Sequence, residues 1–171
     1  MTIEEVFASK TLKPKQKTET LYKLVVSKKV SINALLTHAK SAKDSAKATC
    51  IEALEMATKN DAKLGNTAVL DFVTNSLAEK APRIKWESAK VIGNIAGLYA
   101  GKLEKAISHL LTNTEHEGAV VRWSAAYALG EILKTKHPST KKLIPAIEAI
   151  CLREEKNSIK KVYLAALKNI K

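Results

Sequence analysis

A stripe of small and apolar residues returns four times in this chain at almost constant spacing. It runs Ala46, Cys50, Ala53, Leu54, Ala57; Ile84, Ser88, Val91, Ile92, Ile95; Val121, Ala125, Ala128, Leu129, Ile132; and Ile159, Tyr163, Ala166, Leu167, Ile170. The offsets within each set are 0, +4, +7, +8 and +11, which fall on one face of a helix. The sets start at positions 46, 84, 121 and 159, so successive starts differ by 38, 37 and 38. That interval holds two helices, and a lone helix pair buries its apolar face only by stacking on like units. The chain is therefore expected to be all-α, a stack of about four helix pairs plus a terminal helix. The spacing predicts a binding surface and leaves the partner unnamed.

Helix signals divide the 171 residues into one domain with internal units. Residues 1–42 read as a basic capping segment and a first, atypical helix pair, with Pro14 opening one helix and Ser31 capping the next. Repeats are expected over 43–80, 81–118 and 119–156, and a partnerless helix over 157–171. Within them Ser41 and Asp44 have capping-box spacing, and Pro82 opens a helix expected to reach about Ala100. Gly101 is expected to turn that helix's C-terminus, His137-Pro138-Ser139 makes a turn, and Asn157 is expected to cap the last helix.

Apolar content of 46% and charged content of 27% are ordinary for a globular protein. The longest weakly polar run, Val91 to Ala100, is far short of the roughly 20 residues that span a bilayer. The N-terminus carries acids where a signal peptide would be basic. Cys50 and Cys151 lack metal-ligand spacing, so both are expected to be reduced thiols in a cytoplasmic protein. His38, His109, His116 and His137 are scattered, and no catalytic set, metal site or cofactor is expected. The net charge of +12 is uneven along the chain: residues 1–43 hold nine Lys and three Glu, and residues 157–171 hold four Lys and no acid. Such basic ends favour polyanions through counterion release.

Two segments carry a family resemblance: Pro82-Arg-Ile-Lys-Trp-Glu-Ser-Ala-Lys-Val-Ile-Gly-Asn-Ile95 and Ala119-Val-Val-Arg-Trp-Ser-Ala-Ala-Tyr-Ala-Leu-Gly-Glu-Ile132. Both resemble the HEAT-repeat helix in which a hydrophobic and a basic residue precede Ala-rich turns and a Leu-Gly or Ile-Gly pair. The resemblance implies a right-handed α-α superhelix, a HEAT-like solenoid, with first helices convex and second helices concave. It says little about function, because the family contains scaffolds, receptors and enzymes.

Two constellations stand out. Lys47, Lys85, Arg122 and Lys160 each follow a stripe start, and acids lie a short way upstream of the last three: Glu79; Glu115 and Glu117; Glu154 and Glu155. In HEAT-like proteins this looks like a ladder between an inter-repeat loop and the next helix. Trp86 and Trp123 sit about 175° from the stripe centre, with Lys90 and Tyr127 one turn later on the same face and Gly93, Gly97 and Gly130 nearby. Two readings stay open: an aromatic groove flanked by Lys85, Lys90 and Arg122, or Trp side chains packed under a neighbour.

The expected function is a non-enzymatic module that binds a protein or peptide, with Trp86, Trp123, Tyr127, Lys85, Lys90 and Arg122 as candidate contacts. The alternative is nucleic-acid binding through the basic ends and the Trp/Arg ridge. A HEAT-like DNA glycosylase is disfavoured, because Lys90 and Tyr127 stand where that resemblance implies an acid. A homodimer through residues 157–171 is a further expectation, since the last helix leaves Val162 and Leu164 uncovered.

Overall fold

The computed structural model describes residues 1–170; Lys171, the last residue of the terminal segment, lies outside them. Ten α-helices follow one another without a strand among the described residues: α1 (Ile3–Ala8), α2 (Pro14–Val26), α3 (Ile32–Ser41), α4 (Asp44–Asn60), α5 (Thr67–Ser76), α6 (Pro82–Ile95), α7 (Glu104–Asn113), α8 (Ala119–Lys134), α9 (Leu143–Arg153) and α10 (Asn157–Lys168). Short 3₁₀ turns occupy Ala62–Leu64, Ala96–Leu98, Ala100–Lys102 and Pro138–Thr140.

The helices stack in two rows. The first row is α2, α4, α6, α8 and α10, each packed along its neighbours; the second is α3, α5, α7 and α9. The repeated stripe faces the second row and is mostly buried, with Leu54, Ile92, Leu129 and Tyr163 each at 1% exposure or less, while Ala46, Leu167 and Ile170 at its two ends are half-buried. Burying one such Leu or Ile is worth roughly 1.5–3 kcal/mol, so the stripe is the main term holding the pairs together. The short α1 closes the N-terminal end with Ile3 and Val6, its first turn held by a reciprocal Thr2/Glu5 capping box.

First-row helices approach closely because their lateral contacts are small. A Cβ added at Gly130 of α8 would stand 3.2 Å from Cβ of Ala166 in α10, and Ala89, Ala126 and Gly93 are likewise buried. Second-row helices touch one another only sparsely. The first row is thus laterally tight and the second laterally loose, and side-chain size at the lateral contacts is the reason.

Several local expectations change. Ser41 ends α3, its Oγ donating to the His38 carbonyl at 3.2 Å, and the residue capping α4 is Lys43; Asp44 acts on the helix dipole from the first turn. Asn157 is the first residue of α10, not its cap. Helix α6 stops at Ile95 and continues as two 3₁₀ turns, with Gly101 inside the second. No glycine has a positive φ. The left-handed positions just beyond the caps of α2 and α8, where glycine is usual, hold Lys28 (φ 59°) and Lys136 (φ 53°). A non-glycine residue there costs on the order of 1 kcal/mol.

Candidate partner-binding face and the ladder beneath it

The cation that opens each full first-row helix is fixed at one edge of the stack. The Nζ of Lys85 donates to the Leu77 carbonyl and to Oδ1 of Asn113, both at 3.1 Å, and Nδ2 of Asn113 returns to the same carbonyl at 3.1 Å. Burial holds the Lys85 ammonium below its ordinary pKa. The Nη1 of Arg122 donates to the carbonyls of His116 (3.0 Å) and Glu117 (2.9 Å), while its Nε reaches Oε2 of Glu154 at 3.0 Å. Lys47 pairs with Glu79. In each case the polar partner lies at or just beyond the end of the second helix of the same pair, well downstream of the cation. The upstream loop contributes carbonyls, and the upstream acids that the sequence put next to these cations are not their partners. Burial raises the Glu154 carboxyl, but the Arg122 hydrogen bonds, the backbone N–H groups of Lys156 and Glu155 and the Arg122 charge together hold it below its ordinary value.

The tryptophans lie on the face away from the second row. Trp123 is 38% exposed, and its ring stacks on Tyr127 at 5.9 Å with an interplanar angle of 4°. Tyr127 in turn lies across α6: a Cβ at Gly93 would stand 2.9 Å from its Cδ1, and its hydroxyl donates to Oδ1 of Asn94 at 2.7 Å. Asn94 completes the crossing by donating through Nδ2 to the Glu55 carbonyl (3.1 Å) and Oγ1 of Thr58 (3.2 Å) on α4. A continuous chain thus runs Trp123, Tyr127, Asn94, Thr58 across three first-row helices. Burial, followed by the charges of Glu131 and Glu55, pushes the Tyr127 hydroxyl up to about 12, so it stays a donor at any physiological pH. Asn94 is absent from the sequence-based site; its signal was a single amide inside an otherwise apolar stretch of α6.

Trp86 is half-buried and donates from Nε1 to Oε1 of Glu87 at 2.8 Å; Nζ of Lys90 lies 2.9 Å from the other oxygen. Glu87 is 3% exposed. Burial raises its pKa, opposed by Lys90 and Trp86 and aided by the Glu52 charge. A carboxyl with a raised folded-state pKa contributes stability below its unfolded value that is lost as pH rises through the folded one. Glu87→Gln is therefore expected to flatten the fall in stability above about pH 4.5, measured by chemical denaturation at several pH values. Trp86 emission should titrate over the same window in the wild type and not in the variant.

Of the six candidate residues, the structure brings Trp123 and Tyr127 together and places Trp86 with Lys90 on the neighbouring helix. Lys85 and Arg122 are engaged in the ladder. Cys50 and Cys151 are buried free thiols, and burial pushes the Cys50 thiol up to about 12. Among the described residues no three metal-ligating side chains cluster, and no helix is long and apolar enough to cross a membrane.

No family model matches the chain, and no curated protein matches it. Solved structures do. A computationally designed armadillo repeat protein for modular peptide recognition superposes with a TM-score of 0.69 at 16% identity, over 92% of this chain and 75% of that one. A second designed armadillo repeat protein gives 0.70 at 13% identity over 99% and 80%. A third, in complex with the peptide (KR)4, gives 0.69 at 18% identity over 99% and 80%. The fold is an armadillo-like repeat solenoid. HEAT and armadillo repeats are neighbouring kinds of helical solenoid, so the expected architecture stands while the specific family name does not follow. At these identities the likeness speaks to fold alone.

Proposed function

We propose that the chain is a non-enzymatic binding module that holds a protein segment or peptide along the face of its first-row helices turned away from the second row, with Trp86, Trp123, Tyr127 and Lys90 as contacts. The observation that carries this reading is the exposed Trp123 ring stacked on the half-buried Tyr127, which Asn94 holds in place. A large ring fixed in one orientation loses little freedom on binding, which is why aromatics beside cations anchor interfaces. Solenoids of this shape include designed peptide binders, which supports the reading without naming the partner. Lys85 and Arg122 act from the edge, keeping consecutive first-row helices in register so that the aromatic positions line up.

The test is selection of peptides from a displayed random library on the wild-type protein, followed by fluorescence polarisation of the selected peptides. Trp123→Ala is expected to weaken binding roughly 10- to 100-fold, the size of an interface hot spot. Because Trp123 stands partly in solvent, the thermal midpoint should move little. Unchanged affinity in that variant would remove the aromatic face as the site.

A further inference from the structure

The stacking sorts charge between two edges in a way the linear sequence hides. All turns within a pair (27–31, 61–66, 96–103 and 135–142) lie on one edge, because first-row helices run parallel. All turns between pairs (42–43, 77–81, 114–118 and 154–156) lie on the opposite edge. The within-pair turns carry seven lysines and one acid, Asp61, for a net +6; the between-pair turns carry three lysines and five glutamates, for a net −2. Neighbouring within-pair turns are in direct contact: the Tyr99 hydroxyl donates to the Gly65 carbonyl at 2.8 Å, and a Cβ at Gly101 would stand 3.4 Å from Nε2 of His137. The last three turns of the positive edge therefore form one continuous surface, and the turn 27–31 extends the row at its N-terminal end.

Its lysines are free to act on something else. Lys28, Lys29, Lys63, Lys102, Lys141 and Lys142 are all exposed, and none forms a salt bridge among the described residues. On the opposite edge the cations Lys47 and Arg122 are tied to Glu79 and Glu154. Two of the basic turns place lysine in the left-handed conformation that glycine adopts most readily, so the cation sits there against local preference. The same edge receives C-termini of first-row helices and N-termini of second-row helices, whose dipoles oppose one another. The lysines therefore set the potential of this edge. Two acids border it: Glu104 opens α7, and Glu131 is neutralised by Lys134 at 2.6 Å.

We propose that this lysine edge docks the phosphate backbone of a nucleic-acid duplex, a second binding surface independent of the aromatic face. Neighbouring turns are roughly 10 Å apart, so four turns form a stiff row of about 30 Å, the rise of about nine base pairs. A rigid polyanion matches a rigid row of cations. A membrane surface fits less well, since the large apolar side chains exposed on this edge are Val26 and Leu98, two helix pairs apart. A flexible acidic peptide would lose its conformational freedom to lie straight along the row.

The experiment is fluorescence anisotropy of the full chain with a labelled duplex of about 20 base pairs while salt rises from about 50 to about 200 mM. Four phosphate contacts predict a log–log slope near −3.6 and a roughly 100-fold weakening over that range. The variant Lys63→Glu/Lys102→Glu/Lys141→Glu should bind at least tenfold more weakly than Lys43→Glu/Lys80→Glu/Lys156→Glu, which makes the same charge change on the other edge. The corresponding Lys→Gln set on the positive edge, milder in its effect on folding, should flatten the slope by about 2.7. Circular dichroism confirms that each variant is folded. No binding at the lowest salt, equal losses from both edges, or tighter binding to phosphatidylserine vesicles or polyglutamate than to duplex would each overturn the proposal.

Discussion

Arg122→Ala is expected to destabilise the chain by about 3 kcal/mol, the lower end of the cost of breaking a buried ion pair, and to lower the thermal midpoint by roughly 6–12 °C. Glu154 is 7% exposed and would keep its burial while losing the guanidinium that compensates it. The carbonyls of His116 and Glu117 lose their donor in the same step. The effect should depend on pH in a defined direction. In the wild type the Glu154 pKa is held below 4.5, so its contribution is present above that value and lost as pH falls through the lowered one. Without Arg122, burial dominates and the carboxyl titrates higher, so the gap between variant and wild type should narrow on acidification. Glu154→Gln added to Arg122→Ala should recover part of the loss at neutral pH. Urea denaturation at neutral and acidic pH reads all three outcomes. A deficit that stays constant with pH would mean that Arg122 acts through packing and not through Glu154.

Gly93→Val is expected to cost roughly 1–3 kcal/mol, the usual size of overpacking, despite replacing a helical glycine, which by itself favours the variant by about a few tenths of a kcal/mol. The added side chain would occupy the place of the Tyr127 ring, which lies against Gly93. To make room, Tyr127 must leave its hydrogen bond to Asn94 and its stack on Trp123. The variant should therefore change Trp123 emission and weaken binding of selected peptides together with the loss of stability. Gly97→Val, at a position with nothing within 4 Å of an added Cβ, is the matched control and should do neither. This pair separates a pre-organised aromatic platform from an incidental one.

The tertiary structure also explains why one column of residues carried two sequence-based readings. Lys85 and Arg122 were legible as a repeated cation, but their side-chain partners sit a whole helix further on, at the end of α7 and of α9. No local spacing points to Asn113 or Glu154. The upstream acids were the nearest carboxylates in sequence, and a repeat makes near neighbours in sequence compete with near neighbours in space. Asn94 was hidden for the complementary reason. It is a single residue whose role, bridging Tyr127 to α4, exists only when three consecutive units are stacked.

What the sequence determined by itself was periodic: the stripe, its offsets and its return at a nearly constant interval dictate a stack of helix pairs, because no other arrangement buries those faces. It also determined that Trp86 and Trp123 point away from the stripe, since that follows from about 100° per residue alone. Only the tertiary structure decided which row is laterally tight, because that rests on the size of contacts such as Gly130 against Ala166. Only it decided that the lysines of four separated turns share one edge. Charge read along the chain is concentrated at the ends; charge read across the stack is divided between its edges, because parallel first-row helices bring every second turn to the same side.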